Sequence, residues 1–144
     1  MTTIVKKAIT DSDLNHVFSI RTKVFVEEQN VPKDLEIDEW EEKSTHFLAW
    51  ENELPIGTCR LRFVDPFTAK AERVAVLKEK RKTGAGKLLM QTLENVARQK
   101  GARKILLYAQ VRVIPFYKKL GYEPFGTPFD DAGIPHMKME KSLR

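Results

Sequence analysis

Residues 71–109 read as a strand, a basic glycine-containing loop, an amphipathic helix and a second strand in unbroken succession. Ala71 to Leu77 is β-prone, with Val74 and Val76 on one face. Leu88, Leu89, Leu93, Val96 and Ala97 then recur at helical spacing, and Gly101 stands where a helix C-cap belongs. Lys104 to Ala109 carries the apolar run Ile105-Leu106-Leu107-Tyr108, as expected of a buried strand. A helix joining two such strands returns the chain so that they pair in parallel, through a right-handed crossover. Whatever else the chain does, it must build a sheet with a helix packed on it.

The flanking segments extend that sheet. Ile4 to Ile9 is a short β-prone run, and Thr10, Asp11, Ser12 and Asp13 follow it with helix-capping side chains. Leu14, Val17, Phe18, Val24 and Phe25 give an amphipathic helix to about Glu28. Asn30 to Ser44, with Pro32, reads as a loop or a short irregular helix. Thr45 to Glu51 and Ile56 to Val64 form an antiparallel hairpin around a turn at Glu51 to Pro55. Ile114 to Leu120 is a short helix opened by Pro115 and closed by Gly121. Tyr122 to Phe125 and His136 to Glu140 are two last strands, joined by the turn-rich Gly126 to Pro135. The expected order is β-α-β-β-β-α-β-α-β-β, an α+β fold, or α/β by a looser definition. With 144 residues and no repeat, low-complexity tract or linker, a single domain over 1–144 is expected. Cys59 is the only cysteine, which excludes an internal disulfide and a cysteine-cluster metal site. No apolar run approaches the roughly 20 residues that span a bilayer, and MTTIVKKAIT has no apolar core of a signal peptide. A cytoplasmic location follows as the expectation.

The formal charge of +5 is unevenly distributed. Between residues 27 and 42, Glu27, Glu28, Asp34, Glu36, Asp38, Glu39, Glu41 and Glu42 face only Lys33. Between residues 78 and 87, Lys78, Lys80, Arg81, Lys82 and Lys87 face only Glu79. The first segment suits a cationic ligand and the second an anionic one, unless either is solvated surface. The basic run has no interleaved aromatic residue for base stacking, which argues against nucleic acid.

The basic run contains Arg81-Lys82-Thr83-Gly84-Ala85-Gly86, directly after a strand and opening the long helix. A helix N-terminus offers unpaired N–H groups and partial positive charge, and so receives phosphate. Gly84 and Gly86 let the backbone curl and approach a ligand, and Arg81, Lys82 and Lys87 add charge. A GxxxxGK[ST] phosphate loop does not fit, because Leu88 follows Lys87 and no glycine stands at position 82. A dinucleotide GxGxxG fails at Leu89. The hexapeptide alone also reads, less readily, as a glycine-rich helix start with solvated lysines.

Arg81, Gly84 and Gly86 match the [RQ]-x-x-G-x-[GA] signature, and here the sequence resembles the GNAT superfamily of N-acetyltransferases. Glu72-Arg73-Val74-Ala75-Val76 is similar to that family's fourth strand, and Phe116-Tyr117-Lys118-Lys119-Leu120-Gly121-Tyr122 to its FYxKLGF segment. Asp130, Ala132-Gly133-Ile134-Pro135-His136 and the Glu36-Ile37-Asp38 to His46 region resemble the bacterial ElaA/YjcF-like branch. The resemblance covers nearly the whole chain. It implies a splayed sheet in which the fourth and fifth strands part around the pantetheine arm of acetyl-CoA, with no metal. Carried onto this chain, Val74, Ala75 and Val76 would pair with that arm. The amides of Lys82, Thr83, Gly84, Ala85, Gly86 and Lys87 would cradle the pyrophosphate, with Phe116 close by. Many members carry Asn seven residues before the tyrosine; Gln110 stands there instead, with a longer and less ordered side chain.

The implied activity is direct transfer of an acetyl group from acetyl-CoA to a primary amine of a small molecule or peptide. The alternative is an acyl-CoA-binding sensor or interaction module without turnover. Tyr117 fits the family's general acid, which protonates the departing sulfur; by position alone it would be core. Glu72 is the expected base, with His46 and Glu28 as rivals. Glu28, Asp38, His46 and His136 are expected around the acceptor, and the acidic segment suggests that the acceptor is cationic. The chain is expected to be a monomer or a homodimer.

Overall fold

The computed structural model describes residues 2–143; Met1 and Arg144, the ends of the expected 1–144 domain, lie outside the described residues. The first strand, β1 (Thr3–Ala8), leads into α1 (Asp11–Arg21). A capping box starts this helix: Thr10 Oγ1 accepts from the Asp13 amide at 3.0 Å, and the Asp13 carboxylate accepts from the Thr10 amide at 3.4 Å. The helix continues over Thr22–Glu28 with π-helical hydrogen bonding, then comes the single turn α2 (Lys33–Glu36). The strands β2 (Thr45–Glu51), β3 (Leu54–Asp65) and β4 (Thr68–Val76) form an antiparallel meander. Next are α3 (Ala85–Gln99), β5 (Lys104–Gln110), α4 (Ile114–Lys119), β6 (Glu123–Asp131) and β7 (Ile134–Ser142). The expected order holds, with α2 falling in the stretch read as a loop or short irregular helix.

The strands form one mixed sheet in the order β1-β2-β3-β4-β5-β7-β6. On one face α3 buries Leu89, Met90, Leu93 and Ala97 against Ile56, Leu61, Ile105 and Met139. Each leucine removed from water there contributes about 1.5–3 kcal/mol. On the other face Val17, Ile20 and Val24 pack against Leu48 and Ala75. Gly57 permits the close seating of α3: a Cβ there would lie 3.0 Å from Leu89 Cδ1 and 3.1 Å from the Ala75 carbonyl oxygen.

Strand β4 is irregular in two ways. Its parallel pairing with β5 runs only from Thr68↔Lys104 to Ala71↔Leu107. Beyond that point β4 stays with β3 as far as Val76, while β5 stays with β7 as far as the Gln110↔His136 pair. The two strands therefore part, as the resemblance implied. The second irregularity is a bulge. Glu72 pairs with Arg60 and Ala75 with Thr58, so Arg73 and Val74 together oppose the single residue Cys59. Arg73 takes up the extra length at φ +53°, a conformation unusual for a side chain as large as arginine.

The last hairpin corrects the sequence reading. Gly126 to Pro135 is mostly strand, and the turn is only Ala132-Gly133. Both turn residues have positive φ, +52° and +79°, as a tight two-residue hairpin requires.

Candidate active site

The parting of β4 and β5 opens a cavity of about 610 Å³. Lys70 to Val76 of β4 form one wall, and Leu107 to Gln110 of β5 with Phe116 and Tyr117 of α4 the other. Val24, Phe25, Val31 and Leu35 cover it from the α1–α2 side, and Asp131, Ala132, Ile134 and His136 from the β6–β7 hairpin.

One end is the N-terminus of α3. Gly84 caps it at φ +90°, and no side chain caps the first amides of the helix. A Cβ on Gly84 would meet nothing within 4 Å, so the loop is open to a ligand on that side. At Gly86 a Cβ would lie 3.2 Å from Phe116 Cζ, so this glycine also admits the aromatic ring against the first turn. Lys80, Lys82 and Lys87 line the same end. This is a fit for a diphosphate: free amides, close backbone approach and cationic side chains. Thr83 and Ala85 do not line the cavity. Thr83 donates its hydroxyl to the Lys80 carbonyl at 2.6 Å, and Ala85 is buried beneath the helix.

Arg81 lines the cavity with its guanidinium already engaged. Nε donates to the Val76 carbonyl at 3.0 Å, and Nη1 and Nη2 grip the Glu28 carboxylate at 2.6 and 2.7 Å. The Arg81 hydrogen bonds lower the Glu28 pKa, and Glu28 in turn raises that of Arg81. Glu28 is thus the counter-ion of Arg81 and does not line the cavity, which corrects its expected place near the acceptor. Lys80 is likewise paired, its Nζ donating to Glu51 at 2.7 Å, so among the described residues Lys82 and Lys87 hold the uncommitted charge.

At the other end lies a network that the acidic segment alone did not reveal. Arg21 and Arg60, both with no solvent exposure, bind Glu36, Asp38, Glu41 and Glu72, and the network also takes in Arg62, Lys70 and Arg73. Five cations face four carboxylates. Glu36, Asp38 and Glu41 are therefore neutralised from within and Glu28 is taken by Arg81, which leaves the charge argument for a cationic acceptor resting on the exposed Glu27, Asp34, Glu39 and Glu42. Arg73 donates to the Glu36 carbonyl and carboxylate at 3.2 Å and to Asp38 at 3.2 Å, which anchors the bulged residue through its side chain.

Glu72 lines the cavity, yet its carboxylate accepts from Arg60 at 2.8 Å and Arg62 at 2.7 Å and lies 3.2 Å from Lys70 Nζ. Burial alone would raise its pKa; the Arg62 hydrogen bond and the Arg60 and Lys70 charges outweigh that and lower it. A carboxylate held this firmly in its charged form is a poor proton acceptor, and the arrangement argues against the base role expected of it. Asp38 and His46 do not line the cavity. Asp38 pairs with Arg60 and Arg73, while His46 is buried on Phe18 with Nε2 2.8 Å from the Glu41 carbonyl. Burial lowers the His46 pKa and keeps the ring neutral.

Three predicted residues do meet at the split. Tyr117 packs edge-on against Phe116 and Tyr122, and its hydroxyl has no hydrogen-bond partner among the described residues. Burial, then proximity to Cys59, pushes its pKa above the ordinary phenol range, so it remains protonated. Gln110 donates to Gln29 Oε1 at 2.8 Å and accepts from Arg112 at 3.1 Å. His136, its register partner, sits beside it on β7. Val74, Ala75 and Val76 line the wall. Gln29, Glu36 and Arg73 also line the cavity and were not singled out from the sequence as site residues.

A family model described as an acetyltransferase (GNAT) domain matches residues 5–143. The uncharacterized N-acetyltransferase YjcF of Bacillus subtilis (strain 168) is 44% identical over 135 residues, which are 93% of this chain and 96% of that protein. The crystal structure of Escherichia coli ElaA is similar with a TM-score of 0.85 at 26% identity, covering 97% of this chain and 99% of that one. An acyl-CoA N-acyltransferase from Pseudomonas aeruginosa gives 0.83 at 25% identity, covering 98% and 99%. The chain therefore belongs to the GNAT acetyltransferase family, in the branch of YjcF and ElaA.

Proposed function

We propose that this protein moves an acetyl group from acetyl-CoA to a primary amine of a small molecule or peptide, by direct transfer within a ternary complex. The observation that carries the reading is the separation of β4 from β5 beyond the Ala71↔Leu107 pair. It leaves one edge of Glu72 to Val76 without a strand partner, facing a cavity with an uncapped helix N-terminus at one end. That edge suits the amide-rich pantetheine arm, and the amides of Lys82 to Lys87 suit the diphosphate. The Pseudomonas relative's name, an acyl-CoA N-acyltransferase, supports the same donor. A dissolved co-substrate goes with a cytoplasmic location.

Three roles follow for residues of this chain. The binding walls hold amine and thioester in near-attack geometry, about 3–3.5 Å apart, which supplies much of the acceleration. A backbone N–H in the bulged segment near Val74 polarises the thioester carbonyl. Tyr117, protonated and otherwise unbonded, gives its hydroxyl proton to the departing sulfur.

Calorimetric titration with coenzyme A, combined with thiol-release assays on a panel of amines, tests this. Tyr117→Phe is expected to lower kcat by about 10²-fold with CoA affinity unchanged. Tight CoA binding by the wild type without product from any amine would instead favour the sensor reading.

A further inference from the structure

We propose that His136 is the general base of this reaction, receiving a proton from the acceptor amine at Nε2; the proposal rests on the acyl-transfer function proposed for the cavity. Its Nδ1 lies 2.7 Å from the carbonyl oxygen of Ile134. A carbonyl oxygen can only accept, so the hydrogen is on Nδ1, and the neutral ring keeps its lone pair on Nε2. Nε2 has no hydrogen-bond partner among the described residues, and His136 lines the cavity while being 9% exposed. The ring is held in orientation from a second side: Phe129, opposite it on β6, stacks on it at 5.8 Å and 30°. The result is a fixed imidazole with one nitrogen tied to the backbone and the other available to the cavity. This is the arrangement that sets the tautomer of a catalytic histidine.

His136 also stands at the edge of the split. It pairs with Gln110, the last residue of β5, on the strand bordering the split. The other candidate bases are engaged or absent from the cavity: Glu72 is held by three cations, Glu28 by Arg81, and His46 lies outside. The charged groups lining the cavity are Glu36, Lys70, Glu72, Arg73, Lys80, Arg81, Lys82, Lys87, Arg112 and Asp131. Phe129, which stacks on the ring, and Gln110, its strand partner on β5, are uncharged.

In the proposed step Nε2 takes one proton from the incoming ammonium, and the freed nitrogen lone pair forms the C–N bond at the thioester carbonyl. The C–S bond breaks with its electron pair on sulfur. Tyr117 gives sulfur a proton and regains one from the newly bonded nitrogen, leaving a neutral amide and a thiol. His136 returns its proton to solvent.

The test uses acetyl-CoA with ethanolamine, glycinamide, lysine, glucosamine, spermidine and phenethylamine, with rates referred to the protonated amine. His136→Asn, whose amide can still donate to the Ile134 carbonyl, and His136→Ala are compared with wild type. Expected are a fall in kcat/KM of about 10²-fold, unchanged CoA affinity, loss of the ascending limb of the kcat/KM pH profile, and partial rescue of His136→Ala by free imidazole. Variants that keep the wild-type rate and limb would overturn the assignment. So would a loss of CoA affinity matching the loss of rate without imidazole rescue, because that marks a structural role. If wild type acetylates none of these amines, the acyl-transfer reading itself fails, a result distinct from failure of His136 alone.

Discussion

Glu41 is a carboxylate on which the buried arginines behind the cavity converge, and replacing it with glutamine has a calculable effect. Its oxygens accept from Arg21 Nη1 at 2.8 Å, from Arg21 Nη2 at 2.7 Å and from the Asp38 amide at 3.2 Å, with Arg60 Nη1 at 3.0 Å. Burial opposes the charged form, but the Arg21 hydrogen bonds and charge, the Asp38 amide and Arg60 hold the carboxyl at about 2, down from 4.5. That difference stabilises the folded state by about 3 kcal/mol at pH 7. The sign follows from the depressed folded value: the stabilisation is complete above the unfolded value near 4.5 and drains away as pH falls toward about 2. At pH 3 roughly 1.4 kcal/mol remains. Glu41→Gln keeps the shape and removes the charge, leaving Arg21 and Arg60 short of a counter-ion. Urea unfolding monitored by fluorescence of Trp40 and Trp50 should give a gap between wild type and variant of about 3 kcal/mol at pH 7, narrowing below pH 4.5. A gap under about 1 kcal/mol at pH 7, or one that does not change with pH, would refute the reasoning.

Gly84→Asp puts a side chain and a negative charge at the positive-φ cap of α3, and should abolish calorimetric CoA binding while the circular dichroism spectrum is retained. Gly57→Ala drives a methyl group to 3.1 Å from the Ala75 carbonyl and should cost about 1–3 kcal/mol in chemical denaturation. Cys59 is 1% exposed and its thiol pKa is raised by burial, so the native protein should not react with a disulfide reagent that titrates one thiol after unfolding.

The features legible in the sequence were those that neighbours in the chain decide. The capping box at Thr10 and Asp13, the glycines at 84, 86 and 101, the apolar spacing of α3 and the Pro115 start of α4 act within a few residues, and each has its expected structural effect. The ion-pair network escaped because its partners lie far apart in sequence: Arg21 meets Glu36 and Glu41 at separations of 15 and 20, and Arg73 meets Glu36 at 37. Counted along the chain, residues 27–42 look like a free acidic patch; folded, Glu28, Glu36, Asp38 and Glu41 are counter-ions. One signal was present, since Arg21 comes after Val17 and Ile20 on the buried face of α1 and an arginine there needs a carboxylate partner. The bulge at Arg73 had no such signal, because its positive φ is set by pairing with β3 and by Glu36 and Asp38. The last hairpin was misread for a related reason: Gly126, Pro128 and Gly133 read locally as turn, while pairing with β7 draws most of the stretch into strand.

Amide hydrogen exchange with and without coenzyme A tests directly whether the cofactor lies between β4 and the N-terminus of α3. Slowed exchange at both Glu72–Val76 and Lys82–Lys87, saturating with a calorimetric titration, is the predicted result. Unchanged exchange in both segments together with an absence of binding heat would contradict it.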